Sequence, residues 1–149
     1  AVKGAMIVIG TFFIQSGDIS LESILAGIVV GSLSSLVLFI ASFPDHDADK
    51  SKGRKTLVII VGKKRGTKLF WIFPLVSYLA IIIGVSANLF PLFSLISFLS
   101  VPLMIKSGIG LQKNYDSIEN LVPYMSSTLM FGRITGVLFV VGFLIDSIP

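Results

Sequence analysis

The stretch SILAGIVVGSLSSLVLFIASF, residues Ser23–Phe43, contains no charged side chain. A helix that crosses a bilayer needs about 20 consecutive apolar residues, and this stretch has that length. Its small residues Gly27, Gly31 and Ser35 recur at every fourth position, a spacing that lets membrane helices pack closely. The stretch therefore predicts a transmembrane helix with a small-residue packing face, and chance spacing on a lipid-facing helix is the alternative.

Further apolar stretches extend this prediction along the chain. One is short, and the others are long enough, or nearly long enough, to cross a bilayer. Asn88 and Pro91 lie between two of them and favour a turn there. We therefore predict an all-α, polytopic transmembrane bundle of about five helices. Besides the stretch quoted above, helices are predicted at residues 4–15, about 69–85, about 90–105 and about 120–145.

The composition excludes several classes of protein. Of the 149 residues, 54% are hydrophobic and 13% are charged, whereas the surface of a soluble domain is about 25–35% charged. The chain has no cysteine, so disulfides, thiolate metal sites and cysteine nucleophiles are excluded. Eight of the twelve Lys and Arg residues lie between Lys50 and Lys68, and this clustering of the positive charge argues against a nucleic-acid-binding surface.

The basic residues also predict the topology, because Lys and Arg are concentrated in cytoplasmic connections. The connection Pro44–Lys68 holds eight of them and the connection Lys106–Glu119 holds two. The connections Ser16–Leu21 and Ser86–Pro91 hold none. We therefore predict a multi-pass protein of the cell membrane whose loop at about 44–68 lies on the cytoplasmic side.

The segment FPDHDADKSKGRKTLV, residues 43–58, carries the candidate chemistry. Asp45 and Asp49 are four residues apart, so on a helix their carboxylates lie on one face. Asp47 is rotated from Asp45 by about 200° and points away. Two like charges on one face repel unless a cation lies between them. Mg²⁺ suits such a pair, because it usually binds one or two carboxylates and completes its shell with water and phosphate oxygens.

Basic residues follow the aspartates directly: Lys50, Lys52, Arg54 and Lys55. They could hold the outer oxygens of a diphosphate that the metal bridges. Acid and base together then predict one site for a doubly anionic leaving group. The alternative is an ordinary connection, because cytoplasmic loops are generally basic and Asp is favoured at the start of a helix.

The run F-P-D-x-x-x-D-K-x-x-G-x-x-T-L-V at residues 43–58, with Gly62 and the basic residues 63–65 after it, resembles the second aspartate-rich motif of the UbiA-type prenyltransferase family. It most resembles the branch that prenylates dihydroxynaphthoate in menaquinone synthesis. Residues 9–17, IGTFFIQSG, are similar to the G-T-Y-Y-x-Q-T-G stretch of that branch. A further weak similarity is the pattern Thr128-x-x-x-Gly132 followed by Gly136-Val137-Leu138-Phe139.

The resemblance implies a fold and an activity. The family has nine transmembrane helices around a central cavity, and residues 1–149 would form the C-terminal half. Two aspartate-rich motifs in cytoplasmic loops bind Mg²⁺ and a polyprenyl diphosphate, which ionises to a carbocation that alkylates an aromatic ring, as in quinone-type lipid biosynthesis. Asp45 and Asp49 match the second aspartate pair, which implies a catalytic and metal-binding role. Lys50, Arg54 and Lys55 match its diphosphate-facing continuation.

Two departures from the family pattern affect this expectation. Ala41 stands where the family often has Asn. The first aspartate-rich motif, N-x-x-x-D-x-x-x-D, does not occur in this sequence. We therefore expect activity to require an N-terminal half that carries the first motif, and we expect this chain alone to be inactive. The alternative is a non-catalytic membrane module, or a split half that only associates with other helices.

Further candidate site residues are Asp47, Lys113, Asn114 and Arg133. Arg133 lies near the middle of the last apolar stretch, where a charge is costly and is a functional candidate by default. It could bind an anionic substrate in a cavity, or it could snorkel to the membrane surface. Lys113 and Asn114 could cap the site from a second cytoplasmic loop or belong to a plain connector. Arg133 is also the residue that would suit a third interpretation, a transporter half with an anionic substrate.

Overall fold

Helices form all the regular structure of the computed structural model, which describes residues 2–147. Within these residues no strand occurs, and the all-α prediction is confirmed. In chain order the elements are α1 Val2–Ser16, α2 Leu21–Ala41, α3 His46–Ser51, α4 Leu57–Val61, α5 Lys63–Leu69, α6 Ile72–Ser86, a 3₁₀ helix Leu92–Ser100, α7 Val101–Asn114 and α8 Ile118–Asp146.

Four helical segments are long and apolar enough to cross a membrane: Leu21–Ala41, Lys63–Ser86, Leu92–Asn114 and Ile118–Asp146. Helix α1 is a shorter apolar helix. Charge-free stretches become helices in lipid because a helix satisfies every backbone N–H and C=O group within its own segment. The predicted polytopic bundle of about five helices is therefore confirmed.

Two connections are shorter in the structure than in the prediction. Residues 63–68 of the predicted loop 44–68 belong to α5, which leads into the same membrane segment as α6. Helix α7 extends to Asn114, so Lys106 and Lys113 lie on the helix and not in a loop. These two predicted helix boundaries are wrong because the prediction places charged residues outside the helices. Lys favours helices, and its long side chain can reach the membrane surface.

The small-residue face of α2 packs against α1. A Cβ added to Gly27 would lie 3.2 Å from the carbonyl oxygen of Ala5, and one added to Gly4 would lie 3.0 Å from the Cα of Gly31. The two backbones therefore approach too closely for larger side chains, which confirms the predicted packing face at Gly27 and Gly31. Ser35 is also buried, and its hydroxyl donates to the Gly31 carbonyl oxygen at 2.6 Å.

The third membrane span begins as a 3₁₀ helix, which has about three residues per turn. Ser94, Ser97 and Ser100 recur at every third position and share one fully buried face. The Ser100 Oγ lies 2.8 Å from the Tyr78 hydroxyl of α6 and 2.7 Å from the Thr135 Oγ1 of α8. We call Tyr78, Ser100 and Thr135 the hydroxyl cluster. It joins three of the four long membrane spans.

Helix α2 carries the candidate loop at its end and lies at the centre of the fold, in contact with α1, α6 and α8. Its last turns belong to an aromatic group in the core. The Phe39 ring lies 5.5 Å from the Phe43 ring and 5.2 Å from the Phe73 ring of α6, measured between centroids. Aromatic pairs at such distances stabilise beyond the area they bury. The end of α2 is thereby held against α6 where the aspartates follow.

Candidate functional site

Phe43 anchors the aspartate loop, residues 44–55, to the helices on both sides of it. Its side chain is 1% exposed and packs against Phe39 of α2. On its other side lies α5, where a Cβ added to Gly66 would lie 3.1 Å from the Phe43 Cζ. The aromatic residue that begins the motif therefore fixes the position of the polar residues that follow it.

The structure brings Asp45 and Asp49 onto one turn, as the spacing predicts. The backbone N–H of Asp49 donates to the Asp45 carbonyl oxygen at 2.8 Å, the bond of one helical turn. Asp45 is the N-cap residue of α3, but its side chain makes no capping hydrogen bond. This weakens the alternative that Asp45 serves only to start a helix, since an aspartate in that role accepts a backbone N–H. Its exposed carboxylate is available to a ligand.

Arg54 folds back onto Asp49. Its guanidinium donates to the Asp49 carboxylate at 3.0 Å, and its backbone N–H donates to the Asp49 carbonyl oxygen at 3.0 Å. The reversal occurs at Gly53, whose φ of 72° is accessible to glycine at little cost. Asp49 is 14% exposed at its side chain while Arg54 is 67% exposed. The cation therefore covers the aspartate and still presents donors to solvent.

Asp47 points away from this pair, as the helical spacing predicts. Its side chain is 80% exposed and lies 2.7 Å from the His46 Nδ1 and 3.3 Å from the Lys63 Nζ of α5. The hydrogen bond with His46, followed by that from Lys63, holds the pKa of Asp47 below its usual value. Asp47 therefore ties α3 to α5 at the surface.

The remaining cations of the loop are available to an anion. Lys50 and Lys55 are exposed, and neither forms an ion pair within residues 2–147. Among the same residues, no group of three or more His, Cys, Asp or Glu side chains could hold a metal ion. A Mg²⁺ ion bound by the predicted pair Asp45 and Asp49 would therefore have two carboxylate ligands, with several coordination positions left for other oxygens.

A cavity that sequence reasoning missed lies directly beside the loop. Its volume is about 310 Å³. Its walls come from α2, from the residues that follow the loop, and from α6: Ser35, Leu38, Phe39, Ser42, Thr56, Leu57 and Phe73. We call it the loop cavity. No sequence signal marks it, because the lining residues come from three separate segments that the fold brings together.

The other candidate residues lie on helices. Lys113 and Asn114 occupy the last turn of α7, where the Asn114 amide donates to the Gly110 carbonyl oxygen at 2.9 Å. In the described part of the chain, no hydrogen bond or ion pair connects them to the aspartates. Arg133 lies on α8, where it is exposed to a second cavity between α8 and α2.

Comparison with known proteins identifies relatives of this chain. A family model described as "UbiA prenyltransferase family" matches residues 1–128. The chain is 30% identical to a 1,4-dihydroxy-2-naphthoate octaprenyltransferase of Bacillus subtilis (strain 168), over 96% of this chain and 46% of that protein. It is 26% identical to the protein of the same name from Escherichia coli (strain K12), over 97% of this chain and 46% of that protein.

A third relative of the same name, from Haemophilus influenzae, is 28% identical over 91% of this chain and 44% of its own length. The chain therefore spans a little less than half the length of the curated relatives that it matches. No solved structure matches it significantly.

Proposed function

Because this chain belongs to the UbiA prenyltransferase family, we propose that it contributes to the Mg²⁺-dependent transfer of a polyprenyl group from a polyprenyl diphosphate to an aromatic acceptor. The names of its relatives support a dihydroxynaphthoate as the acceptor, and we expect a quinone-type lipid as the eventual product. The observation that carries the proposal is the turn that brings Asp45 and Asp49 together, with Arg54 folded over it.

The aspartates and the cations have complementary tasks in this proposal. Asp45 and Asp49 would hold Mg²⁺, which would supply charge neutralisation for a departing diphosphate. Lys50, Arg54 and Lys55 donate to the outer diphosphate oxygens, because charge-assisted hydrogen bonds to phosphate are strong. Arg54 contacts Asp49 already, so it is positioned before the diphosphate binds.

The proposed transfer needs no reactant beyond the polyprenyl diphosphate and the aromatic acceptor. The allylic C–O bond breaks and the diphosphate leaves with the electron pair. The prenyl cation then forms a C–C bond with a carbon of the aromatic ring. That ring carbon afterwards loses a proton, or CO₂ if it bears a carboxylate. The residues of the loop act on the first step, because the negative charge develops on the leaving group.

The loop cavity supports this chemistry by its composition. Leu38, Phe39, Leu57 and Phe73 give it largely apolar walls next to the diphosphate-facing residues. Such walls exclude water, which would otherwise capture a carbocation. Phe39 and Phe73 offer aromatic rings, whose faces attract a cation. We propose that the allylic end of the prenyl chain lies here.

We also propose that this chain acts together with a partner. Two carboxylates would leave most of a Mg²⁺ shell to other ligands, and the chain spans less than half of its relatives' length. We propose that an N-terminal half with the first aspartate-rich motif completes the site, on the cytoplasmic side of the cell membrane. We also expect the chain alone to transfer no prenyl group.

The test is substitution of the aspartates in the protein assembled with the N-terminal half. Asp45→Asn and Asp49→Asn are each expected to lower prenyl transfer by at least about 100-fold, the usual scale for loss of one electrostatic stabiliser. The measurement is incorporation of labelled prenyl diphosphate at several Mg²⁺ concentrations. Asp146→Asn, an exposed acid at the far end of α8, is the matched control. Full activity in both loop variants would remove the metal-site assignment.

A non-catalytic membrane module is the second candidate, favoured by Ala41 and by the two-carboxylate metal set. It predicts no Mg²⁺-dependent binding of polyprenyl diphosphate, even with the N-terminal half present. Equilibrium binding with and without a chelator separates the two candidates, because only the enzyme interpretation makes the affinity depend on Mg²⁺.

A further inference from the structure

A further cavity in the described residues opens at the surface of the helix bundle, and neither Asp45 nor Asp49 lines it. Its volume is about 460 Å³, within the range of small-molecule sites. It lies between α2 and α8, with these lining residues: Val30, Leu33, Ser34, Val37, Leu38, Leu129, Gly132, Arg133 and Gly136. We call it the arginine cavity. Apart from Arg133 and the Ser34 hydroxyl, its side chains are apolar.

Arg133 is an unusual residue to find there. It stands midway along α8, a helix of 29 residues. A charge at such a depth is costly and is normally paired or turned towards a polar cavity. Within residues 2–147 the ion pairs involve the aspartate loop and α5, and none includes Arg133. The guanidinium is therefore exposed to the arginine cavity without an acidic partner.

The cavity is open because small residues line its α8 wall. A Cβ added to Gly136 would meet no atom within 4 Å, and one added to Gly132 would meet only the Val37 side chain at 3.6 Å. These glycines are thus not required for close packing, unlike Gly27 and Gly31 on the other face of α2. Their absent side chains leave room beside Arg133 for a flat molecule.

The arginine cavity adjoins the loop cavity. Leu38 lines both of them, so a molecule in the arginine cavity would lie one side chain away from a prenyl chain in the loop cavity. A ligand with an anionic group and an apolar body fits the walls, because a guanidinium pairs with a carboxylate through two parallel hydrogen bonds. An aromatic carboxylate has both features.

We infer that the arginine cavity binds the aromatic acceptor and that Arg133 binds its carboxylate. This inference rests on the proposed function, in which the loop takes the diphosphate and leaves the acceptor's carboxylate as the other anionic group. The acceptor ring lies between Leu33, Val37 and Leu129. Leu38 separates it from the carbon that becomes the prenyl cation. Arg133 thereby determines both which acceptors bind and how they face the cation.

The test measures binding to the protein, assembled with the N-terminal half, in nanodiscs of neutral phosphatidylcholine. The probe is 1-hydroxy-2-naphthoate, which is fluorescent, and its matched partner is 1-naphthol, which lacks the carboxylate. Arg133→Gln is expected to weaken naphthoate binding by about 10- to 100-fold, the worth of hydrogen bonds to a charged group. Arg133→Lys is expected to restore part of the affinity. Naphthol should bind equally to the unaltered protein and to Arg133→Gln.

Two further variants complete the test. Gly136→Leu is expected to weaken the binding of both probes, because its side chain would occupy the cavity while Arg133 is kept. Lys106→Gln, an exposed cation on α7, removes the same charge elsewhere and is expected to change neither. The inference is overturned if Arg133→Gln binds naphthoate normally, if it loses naphthol to the same extent, or if the unaltered protein shows no saturable binding. The last two outcomes would indicate a structural role for Arg133 or a cavity covered by another helix.

The same nanodiscs separate this inference from the proposed function. Mg²⁺-dependent binding of a polyprenyl diphosphate is expected to survive Arg133→Gln and to be lost in Asp45→Asn. Naphthoate binding is expected to survive Asp45→Asn. If diphosphate binding fails in the unaltered protein while naphthoate binding depends on Arg133, the proposed function fails and the acceptor site remains.

Discussion

The aspartate loop and the hydroxyl cluster both bring oxygen-bearing side chains together, but in different surroundings. In the loop, Asp45 is exposed and makes no capping bond, and Asp49 is paired with a largely exposed Arg54. In the hydroxyl cluster, Ser100 and Thr135 are fully buried and bonded to each other. The loop keeps unused hydrogen-bonding capacity for a ligand, whereas the cluster uses its capacity to join helices.

This difference predicts which substitutions change ligand binding and which change stability. Loss of a charge in the loop should change binding and leave the fold intact, because exposed ion pairs contribute about 0–1 kcal/mol to stability. Loss of a contact in the membrane core should change stability first. Outside the hydroxyl cluster, the Oγ atoms of Ser77 and Ser94 are also buried, and neither has a hydrogen-bond partner among the described residues.

The largest expected effect is at the crossing of α8 and the 3₁₀ helix. A Cβ added to Gly142 would lie 2.6 Å from the backbone N of Ser94, and neither backbone can move easily. Gly142→Ala is expected to destabilise the protein by about 3 kcal/mol, although Ala normally favours a helix. Gly136→Ala, on the same helix but beside open space, is the matched control and should be neutral or stabilising. Unfolding in mixed detergent micelles, followed by circular dichroism, checks both.

Ligand binding is expected to be independent of this loss of stability. Gly142→Ala protein that remains folded should bind prenyl diphosphate with normal affinity, because the aspartate loop is unchanged. Equal unfolding free energies for the two glycine variants would show that the crossing is not as tight as the structure indicates.

A smaller effect is expected within the hydroxyl cluster. Ser100→Ala leaves the buried Tyr78 hydroxyl without its partner, which should cost about 1–2 kcal/mol. Tyr78→Phe should cost less, because Phe has no hydroxyl to leave unpaired and Ser100 keeps its hydrogen bond with Thr135. The double variant should reveal a coupling of about 0.6 kcal/mol, the average for such bonds in membranes. Ser126→Ala, exposed on α8, is the control, and strictly additive effects would contradict the cluster.

The smallest effect is expected at Asp47. Its carboxylate is exposed and faces His46 and Lys63, away from the Asp45 turn. Asp47→Asn should leave the unfolding free energy essentially unchanged, because exposed ion pairs contribute little to stability, and should change the Mg²⁺-dependent affinity for prenyl diphosphate by less than about twofold. Asp49→Asn serves as the contrasting variant in the same titration. A large loss of affinity in Asp47→Asn would place all three aspartates in one site and contradict the separate role of Asp47.

The amino-acid sequence by itself determined the membrane helices and the shape of the aspartate turn. Charge-free stretches must become helices in lipid, where backbone groups have no water to bind. The relation between Asp45, Asp47 and Asp49 follows from the helical period. The return of the chain at Gly53 is likewise local, because glycine accepts a positive φ. Each of these features depends on residues within a few positions of one another.

The hydroxyl cluster and the two cavities, in contrast, depend on how distant segments pack together. The serines at every third position are a sequence signal for a 3₁₀ face, but their partners Tyr78 and Thr135 lie on other helices. The surroundings of Arg133 depend on how α8 passes α2, and no local pattern records that crossing. A short-range period fixes which residues share a face, whereas a cavity depends on which distant face lies opposite.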